Sequence, residues 1–447
     1  MDTERVSPTP HSILEQAALA SGLLTQEQID RAWDALVAGS AAGDRCLNDV
    51  TDRLLADHLV ELEYLNRWQA EQLVQGRTKF TLGPYRILDA IGRGGMGYVF
   101  KGEHQLLGRV EAIKVLPRTQ MTSASIESFR SEIRAQAQLD HPNLIRLSFA
   151  DRDGETYYLV TEFVPGCDLR RLVRRHGPLS DAEAAWVVSQ AAEALAYVHE
   201  RGLVHRDVKP GNLMITTEGQ TKLADLGLAA FADDTLRSAG DGKRKSIVGT
   251  PDFLAPETII SPGAVRPVSD IYSLGYTLYY ALTGKVPFPG GRTSDKIRRH
   301  VQQQPLSARQ LNPTIDPRLL ELTAAMTHKQ PEERLNHAAA VVERLRPWTR
   351  QFGEAGRLAL GARAEEAASA VSVGHGFADT LPAEGSELDT AKDSRGQAAA
   401  NPASEPESPP AQPVEESAAP WPQKIAMAVV MALAAAAGAA AMAVWGR

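Results

Sequence analysis

A chain of 447 residues exceeds the roughly 100 to 200 that one core usually takes, so more than one domain is expected. A formal charge of -7 argues against a general nucleic-acid binder, which carries a basic excess, and the 43% apolar and 23% charged residues leave most of the chain able to bury a core. Two cysteines, Cys46 and Cys167, lie too far apart and too isolated for a disulfide framework or a zinc site, and the polar start from Met1 to Ser12 has no apolar core of a secretory signal, so a reducing cytoplasm is expected.

Residues 12–77 carry leucine, alanine and charged residues at helical spacing, and Thr25-Gln26-Glu27-Gln28 is a capping box. The spacing predicts a small all-helical module, bounded at 1–79, with Leu54, Leu55, Leu59, Leu62 and Leu65 on one apolar stripe and Trp33 and Trp68 as core anchors. From Gly83 the pattern turns to short β-type runs, Tyr85 to Leu88, Tyr98 to Gly102, Val110 to Leu116, Leu144 to Ala150 and Tyr157 to Glu162, broken by a helical period around Ser125 to Leu139. After Leu169 the character is helical, with a second capping box at Ser180-Asp181-Ala182-Glu183 and an apolar helix over Ile271 to Leu282. The reading is α+β: a small β-rich lobe followed by a larger helical one.

Between Ile91 and Val99 the run Gly92-Arg93-Gly94-Gly95-Met96-Gly97-Tyr98-Val99 places glycines where backbone can approach phosphates without side-chain obstruction. Because Tyr98 to Gly102 continues as strand, a hairpin is expected and not the strand-to-helix turn of a dinucleotide fold. In Glu111-Ala112-Ile113-Lys114 a lysine sits inside an apolar strand, where an ammonium needs negative charge; Ala112 and Lys114 share a face and Glu111 points the other way. Glu132 either reaches back to Lys114 from the small lobe's helix or is a solvated glutamate. The densest signal is His205-Arg206-Asp207-Val208-Lys209-Pro210-Gly211-Asn212, where Asp207 can orient and deprotonate a hydroxyl and Asn212 can offer oxygen to Mg²⁺. Asp225, in Leu223-Ala224-Asp225-Leu226-Gly227, reads as a β-turn aspartate or a metal ligand.

Taken in order, Gly92 to Val99, Lys114, Glu132, His205 to Asn212, Asp225 to Gly227 and Ala255-Pro256-Glu257 resemble the protein-kinase signature set. The resemblance covers roughly Tyr85 to Trp348 and is closest to bacterial serine/threonine kinases of the Gly-Gly-Met-Gly type. It implies a two-lobed kinase fold binding ATP and Mg²⁺, with Lys114 on the α- and β-phosphates and paired with Glu132. Asp207 is then the catalytic base, Lys209 lies on the γ-phosphate, and Asn212 and Asp225 are the metal ligands. It also implies a nucleotide pocket of Ile91, Gly92, Gly94, Gly97, Val99, Ala112, Thr161, a hinge from Glu162 to Val164, and Asp168 near the ribose, with Cys167 a small filler. Asp270 would brace the catalytic loop and Glu257 would pair with Arg334. Leu226 stands where phenylalanine is usual and Glu111 where valine is usual. The segment Leu228 to Glu257 would be a platform for protein substrates, and Lys209 is similar to serine/threonine kinases. A phosphate on Ser246, or behind it Thr235 or Ser238, would pair with Arg206, while Thr250 would shape the substrate groove. A homodimer for autophosphorylation fits the same resemblance.

The catalytic domain is bounded at 80–348. An alanine-, proline- and glutamate-rich stretch over 349–424 reads as a disordered linker, and Ile425 to Trp445, free of charge and about 20 residues long, reads as a transmembrane helix with the kinase on the cytoplasmic side. A buried alanine-rich helix is the alternative. Only Gly446 and Arg447 follow, so no external sensor domain is expected.

Overall fold

The computed structural model describes residues 12–39, 52–94, 97–116, 130–131, 133–154, 156–226, 251–260 and 265–369. Helices come first: α1 (Ile13–Ser21), α2 (Gln26–Gly39), α3 (Asp52–Glu61) and α4 (Arg67–Val74). The Thr25 box forms as the spacing predicts, with Gln28 N donating to Thr25 Oγ1 at 3.3 Å and Thr25 N donating to Gln28 Oε1 at 2.9 Å. Leu55, Leu59 and Leu65 are buried as expected, but Leu54 faces solvent, because its neighbour Leu55 lies about 100° around the helix and takes the inner face.

Strands β1 (Thr81–Leu82), β2 (Tyr85–Gly94), β3 (Gly97–His104), β4 (Val110–Val115), β5 (Leu147–Asp153) and β6 (Thr156–Glu162) form one antiparallel sheet in the order β1-β2-β3-β4-β6-β5. Residues directly opposite in such a ladder share a face. Register therefore places Gly92, Val99, Ala112, Lys114 and Thr161 on one face and Phe100, Ile113 and Val160 on the other. That second face shares a single core with α1–α4: Leu14, Ile29, Leu55, Leu59, Trp68 and Leu73 pack with Phe80, Ile87, Phe100, Ile113, Tyr158 and Val160. Trp68 meets Phe80 edge-on at 5.7 Å between ring centroids and Phe100 at 5.8 Å. The helical segment expected as a separate module is thus the missing layer of the small lobe, since an apolar sheet face must be covered to be stable.

Beyond the crossing at Glu162 to Val164 lie β7 (Gly166–Asp168), α5 (Leu169–His176), α6 (Asp181–Glu200), β8 (Leu213–Thr216), β9 (Thr221–Leu223), α7 (Pro256–Ile260), α8 (Pro267–Thr283), α9 (Thr293–Gln302), α10 (Ala308–Leu311), α11 (Pro317–Met326) and α12 (Ala338–Thr349). The Ser180 capping box starts α6, and Gly284 in the left-handed region stops α8. Strands β7, β8 and β9 make a small antiparallel sheet. The core of this lobe is built on α6 and α8, with Val187, Leu195, Ile271, Tyr272, Tyr276 and Leu278 buried together.

Part of the stretch expected as a linker over 349–424 is helical, and the rest, from residue 370, lies outside the described residues. Helix α13 (Glu354–Ser369) buries Leu360, Gly361, Ala364 and Ala367 against the large lobe. Gly361 lies so close to the β8–β9 turn that a Cβ there would stand 2.0 Å from the Thr217 carbonyl oxygen. Arg363 donates to Glu183 at 2.6 Å and Arg175 to Glu366 at 3.1 Å. Small residues that resemble linker composition here make the flat face that lets a helix approach a turn closely. Among the described residues no helix is long and apolar enough to cross a membrane; Ile425 to Trp445 lies outside them.

Candidate active site

The glycine-rich run is a hairpin, as expected: Gly94 stands opposite Gly97 and Gly92 opposite Val99 across β2 and β3, while Gly95 and Met96 lie outside the described residues. Gly97 has φ +127°, and a Cβ on it would sit 1.9 Å from the Val115 carbonyl oxygen. Its glycine is therefore dictated by packing on β4 before any ligand is considered. Gly92 and Val99 roof the face that carries Ala112 and Lys114, with Thr161 opposite Ala112 on β6.

Lys114 donates through Nζ to Asp225 Oδ1 at 2.8 Å, joining the two lobes. Glu132, the expected partner, lies outside the described residues, so the carboxylate that the structure places on this ammonium is Asp225. Burial pushes the Asp225 carboxyl up, but the Lys114 ammonium, with Lys209 and His205 behind it, outweighs burial and holds it below the usual carboxylate range. Gln136, in the helical stretch 133–136, donates to the carbonyl of the next residue, Leu226, whose side chain packs on the large-lobe core.

The loop before the turn Pro210–Asn212 gathers the remaining groups. Asp207 Oδ2 accepts from Lys209 Nζ at 2.6 Å and from Asn212 Nδ2 at 3.0 Å, and Asn212 Nδ2 also donates to the Asp207 carbonyl at 2.8 Å. Among the described residues both bonds use the amide nitrogen of Asn212, which leaves its oxygen to face a cation, and both bonds to the carboxylate fall on Oδ2, which leaves Oδ1 for a hydroxyl. Asp270 braces this loop from α8, accepting from His205 N and Arg206 N, each at 2.8 Å, and from His199 Nε2 at 2.8 Å. The brace holds a strained backbone: Arg206 has φ +70° and Asp225 φ +62°, both in the left-handed region. His205 Nε2 donates to the Ala224 carbonyl at 2.9 Å, tying this loop to the segment of Asp225.

At the opposite wall, Glu162 is held by Lys222 at 2.9 Å and by Arg146 N at 2.9 Å, and Val164 is buried where the chain crosses between lobes. Asp168 caps α5 by accepting from Arg171 N at 3.0 Å, and burial pushes its carboxyl up. Arg171, which belongs to no sequence motif, pairs with Asp168 at 3.2 Å and donates to the Ile91 carbonyl at 3.3 Å, so it spans the cleft mouth. A basic residue three after a capping aspartate is the only sequence signal for it. Cys167 is buried and its thiol is pushed up to about 12 by burial, which leaves it the filler that was expected. In the large lobe, Glu257 and Arg334 form the expected pair, with Nη1–Oε1 at 2.6 Å and Nη2–Oε2 at 2.7 Å.

Among the described residues no group of three or more His, Cys, Asp or Glu gathers into a self-sufficient metal cage. An amide oxygen at Asn212 and a carboxylate at Asp225 are nonetheless the hard donors that suit Mg²⁺, which is commonly held by one or two carboxylates together with substrate phosphates.

The family whose profile matches this chain is described as the protein kinase domain, over residues 85–345. The serine/threonine-protein kinase PknA of Mycobacterium tuberculosis is 38% identical over 259 residues, 56% of this chain and 58% of that protein. The serine/threonine-protein kinase PrkC of Bacillus subtilis is 34% identical over 257 residues, 57% of this chain and 39% of its own length. A probable serine/threonine-protein kinase of Lactococcus lactis, PknB, is 33% identical over 252 residues, again 56% of this chain and 39% of the relative. The chain thus spans less than two thirds of these relatives.

Proposed function

The chain belongs to the protein kinase domain family, and from that membership we propose that it transfers the γ-phosphate of ATP to serine and threonine hydroxyls of proteins, itself among them. The observation that carries the reading is that Lys114, on the face under the glycine hairpin, reaches Asp225 of the other lobe at 2.8 Å, while Lys209 and Asn212 converge on Asp207 at 2.6 and 3.0 Å and the Asn212 backbone carbonyl accepts from Ala224 N, next to Asp225, at 2.8 Å. ATP bound with Mg²⁺ supplies the phosphoryl group and the countercharge. Lys114 would hold phosphate oxygens, and the Asp225 carboxylate and the Asn212 oxygen would hold the cation. Asp207 orients the incoming hydroxyl and takes its proton, and Lys209 balances charge on the transferring group. Serine/threonine selectivity rests on Lys209, two places after the base, and on the names of the relatives.

Anchoring at a membrane through Ile425 to Trp445, with the catalytic lobes on the cytoplasmic side, and pairing of two copies for autophosphorylation belong to the same proposal. A chain ending at Gln423 is expected in the soluble fraction with activity retained. The chemistry is tested by incubating the protein with labelled ATP and Mg²⁺ and mapping the phosphosites. Asp207→Asn and Lys114→Met are each expected to lower turnover by about 10² to 10⁴ while unfolding at the parental temperature. Transfer at the parental rate by either variant refutes the assigned roles.

A further inference from the structure

Strand β2, which leads into the glycine hairpin, is not a regular strand. Its register on β3 steps from Ile87↔Gly102 to Asp89↔Lys101, so Leu88 stands outside the ladder as a bulge, and a second step falls between Ala90 and Gly92. A bulge leaves its residue without a ladder partner and re-aims the strand beyond it. Here the Leu88 carbonyl is taken by the side chain of Asn66, Nδ2 donating at 2.6 Å. The same side chain caps α4: its Oδ1 accepts from Gln69 N at 2.8 Å, and Gln69 Oε1 accepts from Asn66 N at 3.1 Å. Two residues on, Trp68 is buried against Phe80 and Phe100 and fixes α4 to the sheet.

We propose that the helices preceding the small lobe act as a brace on the nucleotide-covering strand, with Asn66 as the positioning residue that holds the Leu88 bulge and thereby sets the glycine hairpin at the height where it closes over phosphates. The inference rests on the reading of the cleft as an ATP site. Asn66 touches no substrate; it acts through Leu88, four residues before Gly92. The brace bears on the phosphate end of the pocket, because the adenine end is set by Ala112, Thr161 and the crossing to Val164 on other strands.

Asn66→Asp separates the two jobs of this side chain. Aspartate caps a helix about as well as asparagine, so α4 keeps its start. It cannot donate to the Leu88 carbonyl, so the tie to β2 is lost. Binding of Mg²⁺ with a non-hydrolysable ATP analogue, and separately of adenosine, is measured by calorimetry on the full chain and on the Asp and Ser variants, with kcat and KM for ATP and the unfolding temperature alongside. In both variants the analogue is expected to bind about threefold to tenfold more weakly, as loss of one hydrogen bond implies. Adenosine affinity and kcat at saturating ATP are expected to stay close to the parent, and the unfolding temperature to fall only by the roughly 1 to 6 °C that one lost hydrogen bond costs. Unchanged analogue affinity overturns the proposal, and so does an equal loss for adenosine and the analogue, which is the mark of a merely structural residue. A parent that binds the analogue but phosphorylates no protein refutes the kinase reading and leaves the brace standing; a parent that binds no nucleotide overturns both.

Discussion

Removing Arg334 isolates the cost of stranding a buried charge. Its side chain is 0% exposed, and each guanidinium nitrogen is engaged: Nη1 with Glu257 Oε1 at 2.6 Å and the Val268 carbonyl at 3.0 Å, Nη2 with Glu257 Oε2 at 2.7 Å and the Lys329 carbonyl at 3.1 Å, and Nε with the His328 carbonyl at 2.6 Å. The cation also lies 4.8 Å from the centre of the Tyr272 ring. Burial pushes the Glu257 carboxyl up, yet Arg334 and Ser269 hold it below the usual range. Arg334→Ala leaves that carboxylate and three carbonyls behind, a loss of about 3 to 5 kcal/mol. At roughly 2 to 4 °C per kcal/mol for a domain of this size, melting should fall by about 6 to 20 °C in scanning calorimetry. Replacing both partners, as Glu257→Leu with Arg334→Met, should recover much of it, because two apolar groups strand no charge. Arg266→Ala, which breaks an exposed pair with Glu332, serves as the control and should leave melting close to the parent, because solvent screens such a pair. A loss under about 2 °C for Arg334→Ala, or a double variant no better than the single, refutes the argument.

Lys329 supplies a pH test. Its ammonium lies within 6 Å of the rings of Tyr272, Tyr276 and Phe288, and burial, with Arg334 nearby, lowers its pKa from 10.5 to about 8. The unfolded chain therefore binds more protons between about pH 8 and 10.5, so stability should rise with pH across that window relative to Lys329→Met, and stay parallel to it below; parallel curves throughout refute the assignment. Gly361→Leu should lift α13 from the β8–β9 turn, where a Cβ already meets the Thr217 oxygen at 2.0 Å. The overpacking cost is about 1 to 3 kcal/mol, and limited proteolysis should cut faster between Thr349 and Ser369; an unchanged cleavage rate shows that the helix tolerates the side chain.

The cleft was legible where chemistry restricts residue identity. A base, a metal amide and a phosphate lysine admit few substitutes, so Asp207, Asn212 and Lys209 stood out in one short loop, and the structure joins them by direct bonds. Local rules read equally well, as both capping boxes show. Partners distant in sequence were harder. Lys114 was expected on Glu132, which lies outside the described residues, and its bond to Asp225 comes from the closeness of the two lobes, which no local pattern encodes. Trp68 was legible as a core anchor but not as an anchor of the sheet, because Phe80 and Phe100 reach it through tertiary packing that no periodicity encodes. Gly97 was read as room for phosphate, whereas the nearest obstruction is the Val115 carbonyl of its own sheet.

The same blindness to tertiary packing leaves two packed layers outside the family match, with a physical consequence. The stretch that matches the family ends at 345 and begins at 85, so it omits α1–α4 at one side and α13 at the other. Each omitted element packs on a strand that lines the cleft. The first covers the back of β2, β3 and β4, whose front carries Gly92, Val99 and Lys114; the second lies against β7, which ends in Asp168. A protein cut to the matching residues would uncover Ile87, Phe100, Ile113, Tyr158 and Val160 together, an apolar patch of the kind that drives association. It would also free the Leu88 carbonyl that Asn66 satisfies. The folding unit is therefore larger than the unit of resemblance, and the extra layers are attached to the strands on which nucleotide geometry depends.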